Sequence, residues 1–464
     1  MAREKERRPR RGFLFPRLRL SLSNNDKSRK ETAMHPTLSP EKGHSRTGRL
    51  AAVLAVLAVL AIPAAAMILG APQAMAQKGG YTMGALVPLT GPLAAKGRTA
   101  QAALKLAETD IRDYLAASGA GDSFTMVIED TGSTPDKALA AIKRLADKGI
   151  RLVVGPASDD ETAAVEDLAA QKGMVLVSYG SSAQYLAKKD DLLFRLTPSN
   201  TYQAEALTAL VKQEGHTVMI PLWRGDTVGD ELVVHAKARF KQLGGEAAAG
   251  ARYNPDRTDY AVILDELARE AENIRAANPK AKPAIVFVGG REVVPVFQEA
   301  AKHPILAGLP WYGSDSTALH DDIAKDPDSA AFALRTRFTA PRYGEGGANV
   351  YTQIERRIAK ETDQFPDPQS AAAYDAAWLG FLAAQSAGTM DAATLKRFIP
   401  LMAERTYGVT GWLALNEYGD RREDWDFDFW ALGKEGDTFF WEKIARYQLE
   451  PGLPKELYIG SPSK

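Results

Sequence analysis

Residues 151–183 read RLVVGPASDDETAAVEDLAAQKGMVLVSYGSSA. Two short apolar runs, 151–154 and 174–178, flank a stretch at 159–172 whose mixture of apolar and polar residues is typical of an amphipathic helix. Gly173 follows that stretch, at a position where helices commonly end. This order predicts a strand, a helix and a second strand parallel to the first, which is the repeating unit of a doubly wound sheet.

The same alternation of short apolar runs and longer amphipathic stretches extends in both directions. Further strands are predicted at 82–88, 124–129, 217–222 and 284–288. Helices are predicted between them at 97–117, 135–148, 199–214, 226–243 and 259–277. Residues 427–445 (FDFWALGKEGDTFFWEKIA) predict two strands around a hairpin turn that contains glycine. The fold class is therefore α/β, and a region of this length exceeds one doubly wound sheet, so two lobes are expected.

Composition and charge exclude several classes of function. The chain has 464 residues, of which 45% are hydrophobic and 25% charged, as in a soluble globular protein. Basic residues are concentrated in the first 49 positions, so the region from residue 77 onward is mildly acidic, which argues against electrostatic binding of nucleic acid. There is no cysteine, which excludes disulfides, thiolate metal sites and cysteine nucleophiles.

The sequence motifs of common enzymes and cofactor sites are also missing. No GxSxG elbow surrounds Ser178, Ser181 or Ser182, and no pair of histidines has the HExxH spacing. Neither GxxxxGK[ST] nor GxGxxG follows a predicted strand. We therefore expect no catalysis, no metal and no cofactor.

The N-terminal region is typical of an export signal. Residues 50–76 form an uncharged Ala/Leu/Val run that follows basic residues and ends in Ala74-Met75-Ala76, the small-x-small pattern of a signal peptidase site. We expect cleavage after Ala76 and a periplasmic or extracytoplasmic protein. The alternative is an uncleaved membrane anchor, since the run is long enough to span a bilayer. Residues 1–49 are expected to be a basic extension, disordered or mis-started, with Met34 as the alternative start.

Polar residues follow three predicted strands, at the edge where doubly wound sheets bind ligands. They are Gly155 to Ser158, Ser178 to Ser182, and Gly313 to Ser316. Small residues let a ligand approach backbone N–H groups, and hydroxyls beside a helix N-terminus favour a carboxylate. Asp315 could receive an ammonium group, so that both sites together would fit an amino acid. The alternatives are that Ser158 and Ser182 cap helices and that Asp315 belongs to a turn.

The order of these segments resembles that of the solute-binding proteins of branched-chain amino acid-type ABC importers, which have the type I periplasmic binding protein fold. The resemblance covers nearly all of residues 78–450. It rests on six stretches that follow one another in the family's order: GALVPLTGPLAAKG (84–97), IEDTGSTPDKAL (128–139), VVGPASDDETAAV (153–165), MVLVSYGSSAQYL (174–186), LLFRLTPSNTYQAEAL (192–207) and GVTGWLALNEYGDR (408–421).

The resemblance implies two doubly wound lobes, joined by a multi-crossover hinge, that close on a ligand and dock on the membrane permease of an ABC importer. One lobe would comprise residues 77–200 and 319–424. The other would comprise residues 201–318 and 425–464. The alternative function is the ligand-sensing domain of a signalling receptor with the same fold.

Carried over by position, the resemblance also implies the ligand-binding residues. Ser158 and Ser182 would bind the ligand carboxylate, with the carbonyl of Gly180 and nearby groups completing the site. Among those groups, Tyr179 could be either a wall of the cleft or a packing residue, and Ser181 is a further candidate. Asp315 would bind the ammonium group.

The sequence departs from the family pattern in the second lobe. Val228 precedes Gly229 where family members often have an aromatic residue, and Trp223, close to Asp226, could supply that aromatic wall instead of being core. Arg291-Glu292 also stands where an aromatic residue is often found, and this pair could select a ligand with a charged or polar group. We therefore expect a small carboxylate, and specifically an amino acid, without expecting leucine, isoleucine or valine in particular.

Overall fold

The computed structural model describes residues 80–460 apart from Ala120, Arg257, residues 344–347, Phe365, residues 423–425 and residues 449–454. The predicted extension at 1–49 and the predicted signal peptide at 50–76 lie outside the described residues. Within the described part of the chain, no helix is both long and apolar enough to cross a membrane.

The first sheet has five parallel strands in the spatial order β2-β1-β3-β4-β5. They are β1 (Tyr81–Val87), β2 (Phe124–Asp130), β3 (Leu152–Val154), β4 (Val175–Ser178) and β5 (Leu193–Arg195). The helices between them are α1 (Ala94–Ser118), α2 (Pro135–Asp147) and α3 (Asp159–Gln171). Apolar side chains of the strands are buried on both faces of the sheet, as a parallel sheet covered by helices requires.

The second sheet is larger and mixed. Its nine strands have the order β16-β15-β14-β11-β10-β9-β6-β7, and β8 also pairs with β6. The strands are β6 (Val218–Arg224), β7 (Glu246–Ala247), β8 (Ala251–Tyr253), β9 (Pro283–Val288), β10 (Trp311–Gly313), β11 (Thr339–Tyr343), β14 (Phe427–Glu435), β15 (Thr438–Gln448) and β16 (Glu456–Ile459). The helices associated with it are α4 (Asn200–Gln213), α5 (Thr227–Gln242), α6 (Ala261–Ala277), α7 (Val293–Ala300), α8 (Pro304–Ala307), α9 (Asp321–Lys325) and α10 (Pro327–Arg335).

Between β11 and β14 the chain returns to the first sheet. There it forms α11 (Ala348–Thr362), α12 (Pro368–Ala387), α13 (Ala392–Ala403) and a small hairpin of β12 (Tyr407–Gly408) and β13 (Gly411–Trp412). Helices α12 and α13 pack on the same face of the first sheet as α1. We call the first sheet with α1–α3 and α11–α13 the first lobe, and the second sheet with α4–α10 the second lobe.

The boundary expected at residue 319 differs from the observed sheet membership. Residues 339–343 form β11, which lies between β10 and β14 in the second sheet. Ile323 and Phe332, on α9 and α10, are buried in the core of that same sheet. The chain therefore returns to the first lobe only after Tyr343. The sequence did not predict this boundary because the strand TAPRY (339–343) is short and contains a proline, which is rare inside a strand.

The strands and helices predicted between residues 82 and 288 are all present, with ends that differ by at most a few residues. The hairpin predicted at 427–445 is also present, as β14 and β15. Of β10 (Trp311–Gly313), only the end before the polar residues was predicted. The strands that were not predicted contribute two to five residues each, and they are β5, β7, β8, β11, β12, β13 and β16. Runs that short carry too few side chains to distinguish a strand from a loop.

Asp191, in the loop before β5, is expected to reduce stability as the pH rises. Its Oδ1 accepts a hydrogen bond from the N–H of Leu193, but its buried Oδ2 has no hydrogen-bond partner among the residues that the structure describes. Burial raises the pKa of Asp191 to about 6, and the carboxylates of Glu166 and Asp420 add to the increase. Because this pKa is above that of the unfolded chain, the native state loses stability as the pH rises from about 4 to about 6 and does not regain it above that range.

Asp191→Asn is therefore expected to raise the free energy of unfolding by about 1 kcal/mol at pH 7.5, after allowance for screening by solvent, and not at pH 3.5. Urea unfolding at both pH values measures the difference. Asp190→Asn is the matched control, because the Asp190 side chain is 96% exposed. Equal effects of the two variants at both pH values would contradict the assignment.

Candidate functional site

A cleft of about 520 Å³ lies where the carboxyl ends of strands from both lobes meet. The first lobe contributes the start of α1 and the turn between β3 and α3. The second lobe contributes the loops that follow β6, β9 and β10. The charged residues among its described lining are Lys96, Asp159 and Asp160 from the first lobe, and Arg224, Asp226, Arg291 and Asp315 from the second.

Ser158 lines this cleft and is also the N-cap of α3. Its Oγ accepts a hydrogen bond from the N–H of Glu161 (3.4 Å) and donates one to Glu161 Oε2 (3.0 Å). Glu161 is buried, and its carboxylate also accepts hydrogen bonds from Thr131 and from the backbone of residues 157 and 158. Burial raises the pKa of Glu161, and these hydrogen bonds oppose the increase. The Ser-x-x-Glu spacing of 158–161 is a capping box, so the capping alternative for Ser158 was visible in the sequence.

Asp159 accepts the hydrogen bonds that the sequence analysis assigned to a ligand. Its Oδ1 lies 2.6 Å from Ser181 Oγ, 2.7 Å from the N–H of Ser182 and 2.9 Å from the N–H of Ala183. Asp159 is only 4% exposed, yet it lines the cleft. The donors at the end of β4 are therefore already occupied by a carboxylate of the chain itself.

The other predicted first-lobe residues, Tyr179 and Gly180 to Ser182, are not among the residues that line the cleft. Tyr179 is buried, and its hydroxyl donates to the carbonyl of Leu86 (3.3 Å), so it is a packing residue. Gly180 lies against the backbone of Ala157, where a Cβ would be 2.0 Å from the carbonyl oxygen. Ser182 donates its hydroxyl to Asn200 Oδ1 (3.1 Å). Of the predicted pair, Ser158 therefore lines the cleft, and the hydroxyl of Ser182 is engaged within the chain.

On the second lobe, Asp226 lines the cleft as the N-cap of α5. Its Oδ1 accepts a hydrogen bond from the N–H of Gly229 (2.8 Å), and its Oδ2 is 2.6 Å from Arg224 Nε. Burial raises the pKa of Asp226, which the Gly229 N–H and the Arg224 guanidinium oppose. Arg224 is also 3.6 Å from Glu292 Oε2. The charge of Arg224 is therefore balanced by carboxylates of its own lobe.

Glu292 and Trp223 are absent from the lining of the cleft. Glu292 accepts a hydrogen bond from the Tyr253 hydroxyl (2.6 Å), and burial together with this carboxylate raises the pKa of Tyr253. Trp223 donates its Nε1–H to Asp230 (2.8 Å), and the ammonium of Lys237 lies 5.1 Å from its ring. The expected aromatic wall is therefore not found at Trp223, whose ring contacts Asp230 and Lys237 of α5.

Asp315 and Arg291 do line the cleft, and both have charges open to it. The Asp315 carboxylate accepts a hydrogen bond from the adjacent Ser316 hydroxyl (3.2 Å), and no cation of the described chain pairs with it. Arg291 is exposed and has no hydrogen bond or ion pair with any described residue. His320 lies beside them, and burial lowers its pKa, so its ring is neutral at pH 7.

The sequence analysis did not find Lys96, Asp159 or Asp160. Lys96 lies on the first turn of α1, and its ammonium is 3.9 Å from Asp367. Asp160 is exposed beside the cleft, and its Oδ1 accepts a hydrogen bond from Thr227 of the second lobe (3.3 Å). Aspartates are common in the first turn of a helix because they complement the helix dipole. The positions of Asp159 and Asp160 in the sequence therefore did not indicate a ligand-binding site.

Glu231 on α5 joins the two lobes at the edge of the cleft. Its Oε1 accepts a hydrogen bond from the N–H of Gln184 in the first lobe (2.5 Å), and its Oε2 accepts one from Asn200 (3.0 Å). Together with the contact between Asp160 and Thr227, this places the lobes in direct contact beside the cleft. No group of residues able to hold a metal ion occurs among the described residues.

Three comparisons relate the chain to known proteins. Residues 80–415 match the sequence model of a family described as periplasmic binding proteins. An uncharacterized protein of Methanocaldococcus jannaschii is 24% identical over 372 residues, which cover 76% of this chain and 87% of that protein.

Solved structures that share the fold include two with a bound solute. One is the substrate-binding protein of a branched-chain amino acid transporter from Streptococcus pneumoniae, in complex with isoleucine. It matches this chain with a TM-score of 0.61 and 20% identity, and the match covers 79% of this chain and 99% of that protein. A solute-binding protein of an ABC transporter from Rhodopseudomonas palustris, in complex with 3,4-dihydroxybenzoic acid, has a TM-score of 0.63 at 16% identity and covers 80% of this chain and 99% of its own.

Proposed function

Because this chain belongs to the family of periplasmic binding proteins, we propose that it is an extracytoplasmic receptor that delivers a small solute, an amino acid or a related carboxylate, to the permease of an ABC importer. The family expected from the six sequence stretches and the two-lobed fold are confirmed. Such a family and fold are those of ligand-binding transport proteins and not of enzymes.

The observation that carries the proposal is the pattern of charge in the cleft. Both signs are present, and they come from both lobes. Arg291 and Asp315 have no partner of opposite charge within the described chain. A solute that carries a carboxylate and an ammonium group can pair with both residues, and each charge-assisted hydrogen bond contributes about 1.5–3 kcal/mol. An amino acid is the smallest common solute of this kind.

Closure of the lobes is the second part of the proposal. A solute that contacts both walls binds the closed form more tightly than the open form, so it shifts the population towards closure. The hydrogen bond between Glu231 and the N–H of Gln184 is made only when the lobes are together. The closed form would then be recognised by the permease.

Relatives with bound solutes support the class of ligand that we propose. The structure from Streptococcus pneumoniae holds isoleucine, and that from Rhodopseudomonas palustris holds 3,4-dihydroxybenzoic acid. Both are small carboxylates. The family supports an extracytoplasmic location for this chain, and residues 50–76 would be the signal peptide that exports it.

Isothermal titration calorimetry with the twenty protein amino acids and 3,4-dihydroxybenzoate tests the proposal. We expect one-to-one binding of at least one of them, and recovery of the solute unchanged. For an amino acid, Arg291→Gln and Asp315→Ala are each expected to weaken binding at least tenfold, since each removes one charge that the solute pairs with. For 3,4-dihydroxybenzoate, which has no ammonium group, only Arg291→Gln is expected to do so.

Arg335→Gln is the matched control, because Arg335 is an exposed residue on α10 that does not line the cleft. Absence of binding by every compound would overturn the proposed function. Binding that neither cleft variant weakens would place the solute elsewhere.

A further inference from the structure

We propose that the solute is cationic, of the class of the basic amino acids, and that the first lobe holds its side-chain cation on Asp159 and Asp160. This inference rests on the proposed function and names its solute class. It also reverses the polarity expected from the sequence, in which hydroxyl and N–H donors of the first lobe bind a carboxylate.

The hydrogen-bond donors at the end of β4 and the hydroxyl of Ser158 already have acceptors within the chain. The Ser181 hydroxyl and the N–H groups of Ser182 and Ala183 donate to Asp159 Oδ1. The Ser158 hydroxyl donates to Glu161, so its Oγ can only accept a further hydrogen bond from a solute. A solute carboxylate placed beside the start of α3 would find these hydroxyl and N–H donors occupied and would lie next to two aspartates.

The first-lobe wall of the cleft also leaves carboxylate oxygens open. Oδ2 of Asp159 accepts no hydrogen bond from any described residue, although the side chain is buried and lines the cleft. Asp160, the next residue, has only the Thr227 hydroxyl on Oδ1. Once a solute fills the cleft and excludes water, a carboxylate oxygen that faces it requires a donor or a cation, because burial without one is costly. An ammonium or guanidinium group supplies both.

The charges over the whole cleft do not balance. Its described lining contains four carboxylates and three cations. Arg224 is balanced by Asp226 and Glu292 of its own lobe, and Lys96 pairs with Asp367. This leaves Arg291 against Asp159, Asp160 and Asp315. A basic amino acid matches this set: its carboxylate faces Arg291, its α-ammonium faces Asp315, and its side-chain cation faces the first lobe.

L-lysine and L-norleucine test the inference, because norleucine has the same carbon chain as lysine and lacks only the ε-ammonium group. Titration of the purified protein with each is expected to show lysine binding at least tenfold more tightly. Asp160→Asn and Asp159→Asn are expected to reduce that preference to about threefold or less, since each removes one negative charge. Asparagine at 159 retains an oxygen for the three donors, so the wall stays intact.

Asp328→Asn, an exposed change on α10, is the control for both variants and should leave the preference unchanged. Norleucine or leucine binding as tightly as lysine would overturn the cationic class while leaving the receptor function in place. A lysine preference that survives both aspartate variants would overturn the assignment to the first lobe. Binding of 3,4-dihydroxybenzoate without binding of any amino acid would overturn this inference and leave the receptor function in place. If none of the compounds binds, the receptor proposal fails and this inference fails with it.

Discussion

Replacing Asp420 with alanine is expected to lower the free energy of unfolding by about 3–5 kcal/mol, because it leaves the charge of Arg195 buried without a partner. Arg195 is 2% exposed and forms a two-point ion pair with Asp420, with Nε at 2.6 Å from Oδ1 and Nη2 at 2.7 Å from Oδ2. Its Nη1 donates to the carbonyl of Ala183.

This pair lies where the chain passes between the lobes. Arg195 ends β5, and its backbone pairs with the segment that leads to β14: the N–H of Arg195 donates to the carbonyl of Gly419, and the N–H of Arg421 donates to the carbonyl of Arg195. The ion pair therefore ties two of the connecting segments to each other. Its loss is expected to loosen the hinge as well as the first sheet.

Urea unfolding of Asp420→Ala measures the effect. Glu417→Ala is the matched control, because Glu417 lies three residues before Asp420 and forms an ion pair with Lys189 that is exposed to solvent. Removal of this exposed pair should leave the unfolding midpoint unchanged. A loss below about 1 kcal/mol in Asp420→Ala would show that the pair contributes little to the hinge.

Replacing Asp159 with alanine is expected to lower the free energy of unfolding by about 2–4 kcal/mol, because three donors at the end of β4 lose their acceptor. Asp159→Asn is expected to cost less, since its side-chain oxygen can remain on the same donors. The difference between the unfolding free energies of Asp159→Ala and Asp159→Asn separates the contribution of the hydrogen-bond acceptor from that of the negative charge.

The alanine variant should also acquire a site for an external carboxylate. Acetate can enter from the cleft and accept the hydrogen bonds that Oδ1 accepted, so we expect sodium acetate to raise the melting temperature of Asp159→Ala above the effect of equal sodium chloride. The wild type should show no such difference. Equal responses of both proteins to acetate would contradict the view that Asp159 occupies a carboxylate-binding position.

The fold could be predicted from the sequence to the extent that its elements are long and regularly patterned. Strands such as β1 and β9 have six or seven residues, and the helices between them end at recognisable glycines, so periodicity located them. β11 was missed because it is short and contains Pro341, and proline is rare inside a strand. The same omission moved the expected return to the first lobe from residue 343 to residue 319.

The site could be predicted only as far as its location. Strand ends indicated the cleft, and Ser158, Asp226 and Asp315 line it. Position alone could not reveal that Ser181 and Ser182 donate to Asp159, because that contact joins residues more than twenty positions apart through a side-chain rotamer. The capping box at 158–161 was readable, and it already indicated that the Ser158 hydroxyl has a partner within the chain.

The interpretation of Trp223 shows a similar limit. An aromatic residue at a strand end can face a cleft or pack beside it, and the choice depends on its hydrogen-bond partner. Asp230 lies one helical turn into α5 and accepts the indole N–H, and Trp223 is not among the residues that line the cleft. That partner could not be identified from the spacing of residues 223 and 230.

A crystal structure of the protein with the amino acid that titration identifies tests the central claim most directly. We expect the solute in the cleft between the lobes, with its carboxylate within hydrogen-bond distance of Arg291 and a cationic group within hydrogen-bond distance of Asp159 Oδ2 or Asp160. A solute outside the cleft would contradict the receptor mechanism, and a carboxylate bound to Ser158 and Ser182 would contradict the polarity proposed for the site.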